Sequence, residues 1–200
     1  MRTKTTVLGL LSVLVINCSK SKEPNERSMF YWEDNYLMVE LISRENLDFV
    51  NREVKRIQDF GEEHFDGSGF TGITEIGKIP VPTVNLKLDK NEVVEVLESA
   101  GLTKYSKLIY YGGGEPTEMQ NPKSIVFGDL NSGIFLEPKG EILEFIWFDS
   151  YNWKDINKTN ITIGLHVLGK KYGLILVDWN SNQVVDLKNK PSIDEYLKSV

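Results

Sequence analysis

The most restrictive feature of this 200-residue chain is its single cysteine, Cys18. No disulfide can stabilise the 182 residues that follow it, and one thiol cannot build a multi-thiolate metal site. A segment of this length can bury a sizeable hydrophobic core. Apolar residues make up 40% of the chain and aromatic residues 10%, which are ordinary values for a globular protein with such a core. The folded part is therefore expected to depend on packing alone.

An apolar stretch precedes the cysteine. Arg2 and Lys4 give the N-terminus a positive charge, and residues 7–16 are almost continuously apolar. A basic start followed by an apolar run of about ten residues is typical of a secretory signal. As a helix this run is too short to cross the roughly 30 Å hydrocarbon core of a bilayer. We therefore interpret residues 1–17 as a signal peptide.

The end of this leader, Val15-Ile16-Asn17-Cys18, resembles the lipobox of bacterial lipoproteins. The resemblance implies cleavage before Cys18, diacylglyceryl on its sulfur and a fatty acid such as palmitate on its freed amine. Two or more acyl chains anchor a protein stably, whereas a single chain binds only marginally. The lipid membrane, reached through acylated Cys18, is thus the first expected partner.

Residues 18–28 comprise the lipidated cysteine and a polar tether without hydrophobic periodicity. At full extension this tether would reach roughly 30 Å. By resemblance to the sorting rule of enterobacterial lipoproteins, Ser19 after the cysteine implies the outer membrane. The expected location is the cell envelope of a Gram-negative bacterium, with a single lipid-anchored domain over residues 29–200.

The charge balance limits the kind of partner. The chain has 23 basic and 29 acidic residues, a formal net charge of −6. Loss of residues 1–17 would remove Arg2 and Lys4 and leave 21 basic against 29 acidic residues, or −8. A nucleic-acid surface needs a basic stripe, so no nucleic-acid partner is expected. The acidic balance favours either a basic protein partner or simple solubility.

Helices are predicted from periodicity and capping residues. Apolar positions at helical spacing predict a helix from Asn46 to about Phe60. A capping box at 89–92 predicts a second helix that ends at Gly101. A short C-terminal helix is predicted from Pro191 onward.

Strands are predicted where apolar runs alternate with turn residues, and residues 61–82 are expected to form a long loop with one short strand near Ile73. The predicted strands cover residues 36–42, 83–88, 107–111, 124–127, 134–137, 142–148, 161–168, 172–179 and 183–187. A hairpin turn is predicted at 169–171. Short turns between successive strands require antiparallel pairing. The predicted fold class is therefore α+β, a meandering antiparallel sheet with two main helices and a short C-terminal helix.

No set of residues in the sequence predicts catalysis, a metal or a cofactor. A zinc site needs three or four ligands at recognisable spacing, whereas the two histidines, His64 and His166, are far apart in the chain. The glycine-rich loop at 112–114 lacks the lysine or helix cap that would bind phosphate. Four carboxylates near one predicted hairpin leave a hydrolase open as an alternative: Glu137, Glu141, Glu144 and Asp149.

Aromatic residues beside carboxylates at loop edges point to recognition instead, because such mixtures bind proteins or sugars. They occur at the start of the domain, in a polar loop and before a C-terminal turn. The candidate partner-binding residues are Tyr31, Trp32, Glu33, Asp34, Trp153, Asp178 and Trp179. Core or edge packing is the alternative for the tryptophans at 32 and 179.

Two segments resemble small bacterial immunity proteins that neutralise secreted toxins. They are residues 30–36 (FYWEDNY) and the C-terminal 176–187 with its continuation to residue 197. The resemblance implies a non-catalytic inhibitor that binds its toxin stoichiometrically, with acidic and aromatic residues against a basic surface. Two alternatives stay open, an envelope lipoprotein that binds a glycan or another protein, and a hydrolase.

Replacement of the only thiol tests the anchor. In Cys18→Ser we expect labelling by a palmitate analogue and recovery with membranes to be lost in the native host, because no second sulfur can accept diacylglyceryl. Ser21→Ala, three residues along the tether, is the matched control and should keep both properties. Unchanged labelling of Cys18→Ser would contradict the prediction.

Overall fold

The computed structural model describes residues 28–129, 132–150 and 158–199. The predicted signal peptide, Cys18, the tether up to residue 27 and Trp153 lie outside the described residues. The described strands are β1 (Ser28–Trp32), β2 (Val39–Ser43), β3 (Thr103–Lys104), β4 (Lys107–Tyr111), β5 (Thr117–Glu118), β6 (Ile125–Asp129), β7 (Ser132–Lys139), β8 (Ile142–Ser150), β9 (Leu174–Asp178) and β10 (Gln183–Val185). The described α-helices are α1 (Leu47–Glu63), α2 (Lys90–Ser99), α3 (Lys158–Tyr172) and α4 (Lys190–Ser199).

Seven strands form the central sheet, in the order β10-β9-β2-β8-β7-β6-β3, and every neighbouring pair is antiparallel. Strands β6, β7 and β8 form a meander, because short connections can join only antiparallel neighbours. Strand β2, far earlier in the chain, lies between β8 and β9. The architecture confirms the predicted α+β class.

A second, smaller sheet has the order β1-β4-β5. Strands β1 and β4 are parallel, with Met29 opposite Leu108 and Tyr31 opposite Tyr110, whereas β4 and β5 are antiparallel. Met29, Leu108 and their neighbours pack on Phe135 and Trp147 of the central sheet. The small sheet therefore covers the central sheet near β7 and β8.

Both faces of the central sheet are covered. Helices α2, α3 and α4 bury one face through residues such as Leu97, Leu165 and Leu197. The opposite face is shared between the small sheet and α1, which packs through Val50 and Val54 on the β2–β9–β10 end. Every residue of β2 and β9 is buried as a result. None of the helices in the described ranges has the length and apolar content needed to cross a membrane.

The three predicted helices are confirmed, although the Asn46 side chain does not cap α1 and binds the Val81 backbone instead. The Asp89 carboxylate accepts the backbone N–H groups of Asn91 and Glu92 at 2.9 and 3.0 Å, which begins α2. Gly101 follows its end with φ +82, the left-handed conformation that glycine tolerates best. Helix α1 was predicted to end at about Phe60, but it continues through Gly61 to Glu63.

The strand prediction for 161–168 is wrong, since these residues lie in α3. So is the hairpin at 169–171, which lies within the same helix. The β-branched residues Ile161, Thr162, Ile163 and Val167 favour strands by propensity, but tertiary packing overrides that preference. The prediction of two main helices therefore missed a third long one.

Two further strand predictions are wrong. Residues Thr83–Leu86 form a 3₁₀ turn that begins after Pro82 and ends at Lys87, whose φ is +51, so the strand predicted at 83–88 does not form. Residues near Ile73 are extended but belong to neither sheet. The end of the first segment only touches β8, where the Leu143 N–H donates to the Leu88 carbonyl oxygen and Asp89 forms an isolated bridge with Ile142.

Two glycines let α3 approach its neighbours closely. A Cβ atom on Gly164 would collide with the Leu102 side chain. A Cβ atom on Gly169 would lie 2.6 Å from the backbone carbonyl carbon of Leu187, closer than real contacts allow. Because backbone cannot rotate away as a side chain can, Gly169 sets the distance between α3 and the segment after β10.

Gly169→Ala tests this close approach. Alanine favours a helix over glycine by about 1 kcal/mol, but the overpacking against Leu187 should cost more, about 1–3 kcal/mol. We expect a lower free energy of unfolding in urea. Gly61→Ala in α1 is the matched control, since its Cβ would meet Phe70 at an ordinary 3.6 Å. The control should gain about 0.5–1 kcal/mol, and an equal gain in Gly169→Ala would refute the packing argument.

A buried carboxylate lies in the central strand. Glu40 of β2 is buried, and its Oε2 accepts the Trp179 indole N–H at 2.9 Å. Burial raises the pKa of Glu40 above its ordinary value, and the Trp179 hydrogen bond opposes part of that rise. A raised pKa in the folded state means that stability is lost as the pH rises through it.

Glu40→Gln should therefore stabilise the protein, because glutamine accepts the same indole hydrogen bond without a charge. The gain in urea midpoint should be small near pH 4.5, where wild-type Glu40 binds its proton, and larger at pH 8. Glu98→Gln on the exposed side of α2 is the control and should change stability little at either pH. A gain that is independent of pH would show that charge burial is not the cause.

Candidate binding surface

The structure brings four of the predicted binding residues together at the end of β1. Tyr31 points between the two sheets, where its ring meets the edge of Trp147 at 5.4 Å between centroids. Burial, followed by the nearby Glu137 charge, raises the pKa of the Tyr31 hydroxyl. Tyr31 therefore joins the small sheet to the central one, and its hydroxyl is un-ionised.

The other three residues lie at the same corner. The Trp32 ring packs against Tyr111 of β4 at 4.1 Å between centroids. Glu33 is exposed and accepts the Tyr110 hydroxyl at 2.5 Å, and this hydrogen bond is the main cause of the raised pKa of Tyr110. Asp34 is exposed. This corner, Tyr31 to Asp34, is acidic and aromatic but engaged in internal contacts.

Asp178 and Trp179 lie beside the start of β2, where Asp178 is opposite Val39 and the Trp179 N–H donates to the Met38 carbonyl oxygen, and both residues are buried. One Asp178 oxygen accepts the N–H groups of Asn180 and Ser181, and the other accepts the Tyr196 hydroxyl at 3.0 Å. Burial, then the Asp178 charge, raises the pKa of Tyr196. Asp178 therefore shapes the β9–β10 turn and ties it to α4, and Trp179 lies beneath that turn on the α1 side.

Residues 64–82, which we call the strap, run back along α1 and are held there by polar side chains. Asn46 exchanges two hydrogen bonds of 2.9 Å with the backbone of Val81. Glu53, whose pKa is lowered mainly by its bond to Arg56, accepts the Gly77 N–H at 2.6 Å. Backbone contacts with helix side chains thus take the place that a neighbouring strand would have.

Arg56 completes this attachment. Its guanidinium donates to Glu53, to the Thr74 hydroxyl and to the Glu75 carbonyl oxygen, the last two at 2.6 Å. At the strap's start, the His64 ring stacks on Phe60 at 3.9 Å between centroids. The His64 carbonyl oxygen accepts the Thr71 N–H at 2.8 Å. The strap is therefore fixed from both ends.

A tight hairpin begins the strap. Phe65 and Phe70 form an isolated antiparallel bridge, and their ring centroids are 5.5 Å apart. The Asp66 carboxylate accepts the N–H groups of Ser68 and Gly69, and these bonds lower its pKa. Gly67 adopts φ +89, which the turn requires and glycine allows. The turn thus holds two aromatic rings in a defined position.

Both rings are open to solvent. The exposed fraction is 54% for Phe65, 72% for Phe70 and 95% for Ile73. Monomeric proteins seldom expose large apolar residues in a contiguous group unless the group binds something. We call these three residues the exposed apolar group.

A groove of about 830 Å³ lies beside this group, between the end of α1, the strap and the β9–β10 turn. Its volume is within the range of about 300–1,000 Å³ that ligand sites commonly have. Trp179, only 5% exposed, lines the groove with its neighbours from the turn. The lining residues are Ile57, Gln58, Phe60, Gly61, Glu62, Phe65, Phe70, Gly72, Thr74, Trp179, Asn180 and Asn182.

Sequence reasoning placed only Trp179 of this groove among the binding candidates. Phe65 and Phe70 were assigned to a loop and Ile73 to a short strand within it, and none of the three was given a role. The signal that could have found them is the pattern Phe-Asp-Gly-Ser-Gly-Phe at 65–70, two aromatic residues across an Asp-Gly turn. Trp153, the remaining candidate, lies outside the described residues.

The histidines have structural contacts. His64 stacks on Phe60 and its Nδ1 lies 2.9 Å from the Phe60 carbonyl oxygen, while His166 of α3 has its Nδ1 3.0 Å from the Leu187 carbonyl oxygen. Across the described parts of the chain, no three His, Cys, Asp or Glu side chains gather closely enough to bind a metal ion.

Comparisons with known proteins give no relative from which a function could be transferred. No protein-family model, curated protein sequence or solved structure matches the chain. The groove and the exposed apolar group are therefore the features of the molecule from which a function must be argued.

Proposed function

We propose that this protein is a lipid-anchored lipoprotein of the bacterial envelope whose folded domain binds a basic protein partner without catalysis, as an immunity-type inhibitor of a secreted toxin. The observation that carries the binding function is the ordered presentation of Phe65 and Phe70 beside the groove. The anchor rests on the lipobox that ends in Cys18 and the inhibitor class on the resemblance of residues 30–36 and 176–197 to immunity proteins.

Rigid aromatic rings at the edge of a concave surface are suited to protein recognition. A few large side chains in the centre of an interface usually supply most of the binding energy. The Asp66 turn and the strap hold Phe65 and Phe70 in place before a partner arrives. Less conformational entropy is then lost on binding, which favours affinity.

The charge around the groove supports a basic partner. Glu62 lines the groove, and Glu63 and Asp66 follow within four residues. Helix α1 also ends here, and a helix C-terminus has a partial negative charge. The whole chain has a formal net charge of −6, so long-range attraction would act in the same direction.

The four carboxylates that left a hydrolase open have internal partners. Glu137 accepts the Ser124 hydroxyl at 2.6 Å and the Trp147 indole N–H at 3.2 Å. Among the remaining three, Glu141 pairs with Lys90, Glu144 pairs with Lys139 and Asp149 accepts an amide N–H of Asn35. These contacts support a non-catalytic function, because they hold the carboxylates in structural roles.

The double variant Phe65→Ala/Phe70→Ala tests the binding surface. Immobilised wild-type and variant lipoproteins would be exposed to secreted and envelope proteins of the host and its neighbours, and a protein retained by wild type would be purified and titrated. At a hot-spot value of about 2 kcal/mol for each of the two rings, about 4 kcal/mol together, the variant should bind roughly a thousandfold more weakly. Its stability should change by no more than about 0.5 kcal/mol, since both side chains are exposed.

Two further double variants serve as comparisons. Glu95→Ala/Glu98→Ala, on the exposed side of α2, removes charge from the other face of the central sheet and should leave binding unchanged. Glu33→Ala/Asp34→Ala tests the corner at the end of β1. Loss of binding only in the second of these, or retention of a glycan rather than a protein, would reject the groove as the partner-binding surface.

A further inference from the structure

Several features of the groove favour a positively charged ligand group. Glu62 is the charged residue among the described residues that line it, and α1 ends at Glu63. The carboxylate and the helix C-terminus thus contribute negative potential from the same wall. The rings of Phe65 and Phe70 add their negative faces, which attract cations within about 6 Å of a ring centre.

Asn182, in the β9–β10 turn, also lines the groove and contains an acceptor without a donor. Its side-chain oxygen Oδ1 is buried, and no donor among the described residues forms a hydrogen bond with it. A buried acceptor without a donor is unfavourable, because it has lost its hydrogen bonds to water and gained none in the protein. Because the Oδ1 atom itself has almost no exposed surface, a donor in the groove reaches it only when the amide turns, which the broad terminal torsion of asparagine allows. A ligand donor would therefore recover a hydrogen bond that the free protein lacks.

Arginine matches this arrangement better than lysine. Its guanidinium is planar, stacks on aromatic rings and presents five N–H donors, which is enough for both the Glu62 carboxylate and the Asn182 oxygen. A lysine ammonium is compact and strongly hydrated, and it gains less from aromatic faces. The groove of about 830 Å³ also has room for an apolar side chain next to the arginine.

We propose that the groove takes an arginine side chain of the partner protein, flanked by an apolar residue, with Glu62 and Asn182 as its acceptors. This inference rests on the proposed function of the groove as the partner-binding surface. It adds the chemical identity of the group that the partner inserts.

Short synthetic peptides test the proposal on the mature lipoprotein in detergent. The probes are fluorescent, end-capped peptides with the sequence Ala-Leu-Arg-Phe-Ala, the same peptide with citrulline, and the same peptide with lysine. Citrulline has the shape of arginine without its charge. Fluorescence anisotropy, corrected for binding to empty micelles, gives each dissociation constant. We expect the arginine peptide to bind about tenfold more tightly than the citrulline peptide, with lysine between them.

Variants of the two acceptors identify the site. Asn182 has φ +56, a conformation that glycine adopts readily and aspartate tolerates, so both replacements should fold. Asn182→Gly removes the acceptor and should weaken the arginine peptide about fivefold or more, with a smaller effect on the citrulline peptide, whose ureido group keeps three N–H donors but has no charge. Asn182→Asp adds a charge and should tighten arginine binding. Glu62→Gln should weaken it, while the matched Glu98→Gln on α2 should not.

The outcomes separate this inference from the function on which it rests. Equal binding of the arginine and citrulline peptides, or no binding of either at millimolar concentration, overturns it. Unchanged arginine binding in both Asn182→Gly and Glu62→Gln also overturns it. If Phe65→Ala/Phe70→Ala abolishes binding of the natural partner while these acceptor variants do not weaken it, the groove is the partner surface and the arginine assignment is wrong.

Discussion

The rest of the structure depends on covering both faces of the seven-stranded sheet without a disulfide. Strands β2 and β9 lie inside that sheet with every residue buried, so each face needs its own layer. Helices α2, α3 and α4 complete one layer. The other layer is divided between the small sheet and α1, and α1 reaches only the β2–β9–β10 end. The groove lies at the edge of this second layer, between the last turn of α1 and the turn after β9.

The strap explains how large apolar residues can be exposed there and still be ordered. Its backbone is held by the side chains of Asn46, Glu53 and Arg56, and its apolar anchor in the core is Ile79. Because polar contacts fix the position of the strap, the strap does not depend on burial of the Phe70 and Ile73 side chains. A loop attached through apolar side chains alone would have to bury them. Attachment through the backbone leaves the side chains available for another molecule.

Elements that have local signals could be predicted from the sequence. Elements whose conformation is determined by contacts between distant residues could not. The capping residue Asp89 predicts the start of α2, and the turn residues between β6, β7 and β8 predict the meander. Helix α3 was taken for a strand because of its β-branched residues, although Ile161, Leu165 and Leu168 recur at helical spacing. The parallel pairing of β1 with β4 joins residues some eighty positions apart, and no local pattern records it. For the site, Trp179 was selected as a binding residue, but the strap's hydrogen bonds to α1 that expose Phe65 and Phe70 appear only in three dimensions.

The buried Glu40 bears on how rigid the groove is. A charge in the middle of a sheet works against stability, because burial disfavours its ionised form. Its bond to the Trp179 indole nevertheless fixes the orientation of a ring that lines the groove from the sheet side. On the opposite side the Asp66 turn fixes Phe65 and Phe70. A concave surface whose aromatic walls are held by hydrogen bonds from two independent elements needs little rearrangement to receive another molecule, and under the proposed function this would let it select a partner by shape and by the position of its charge.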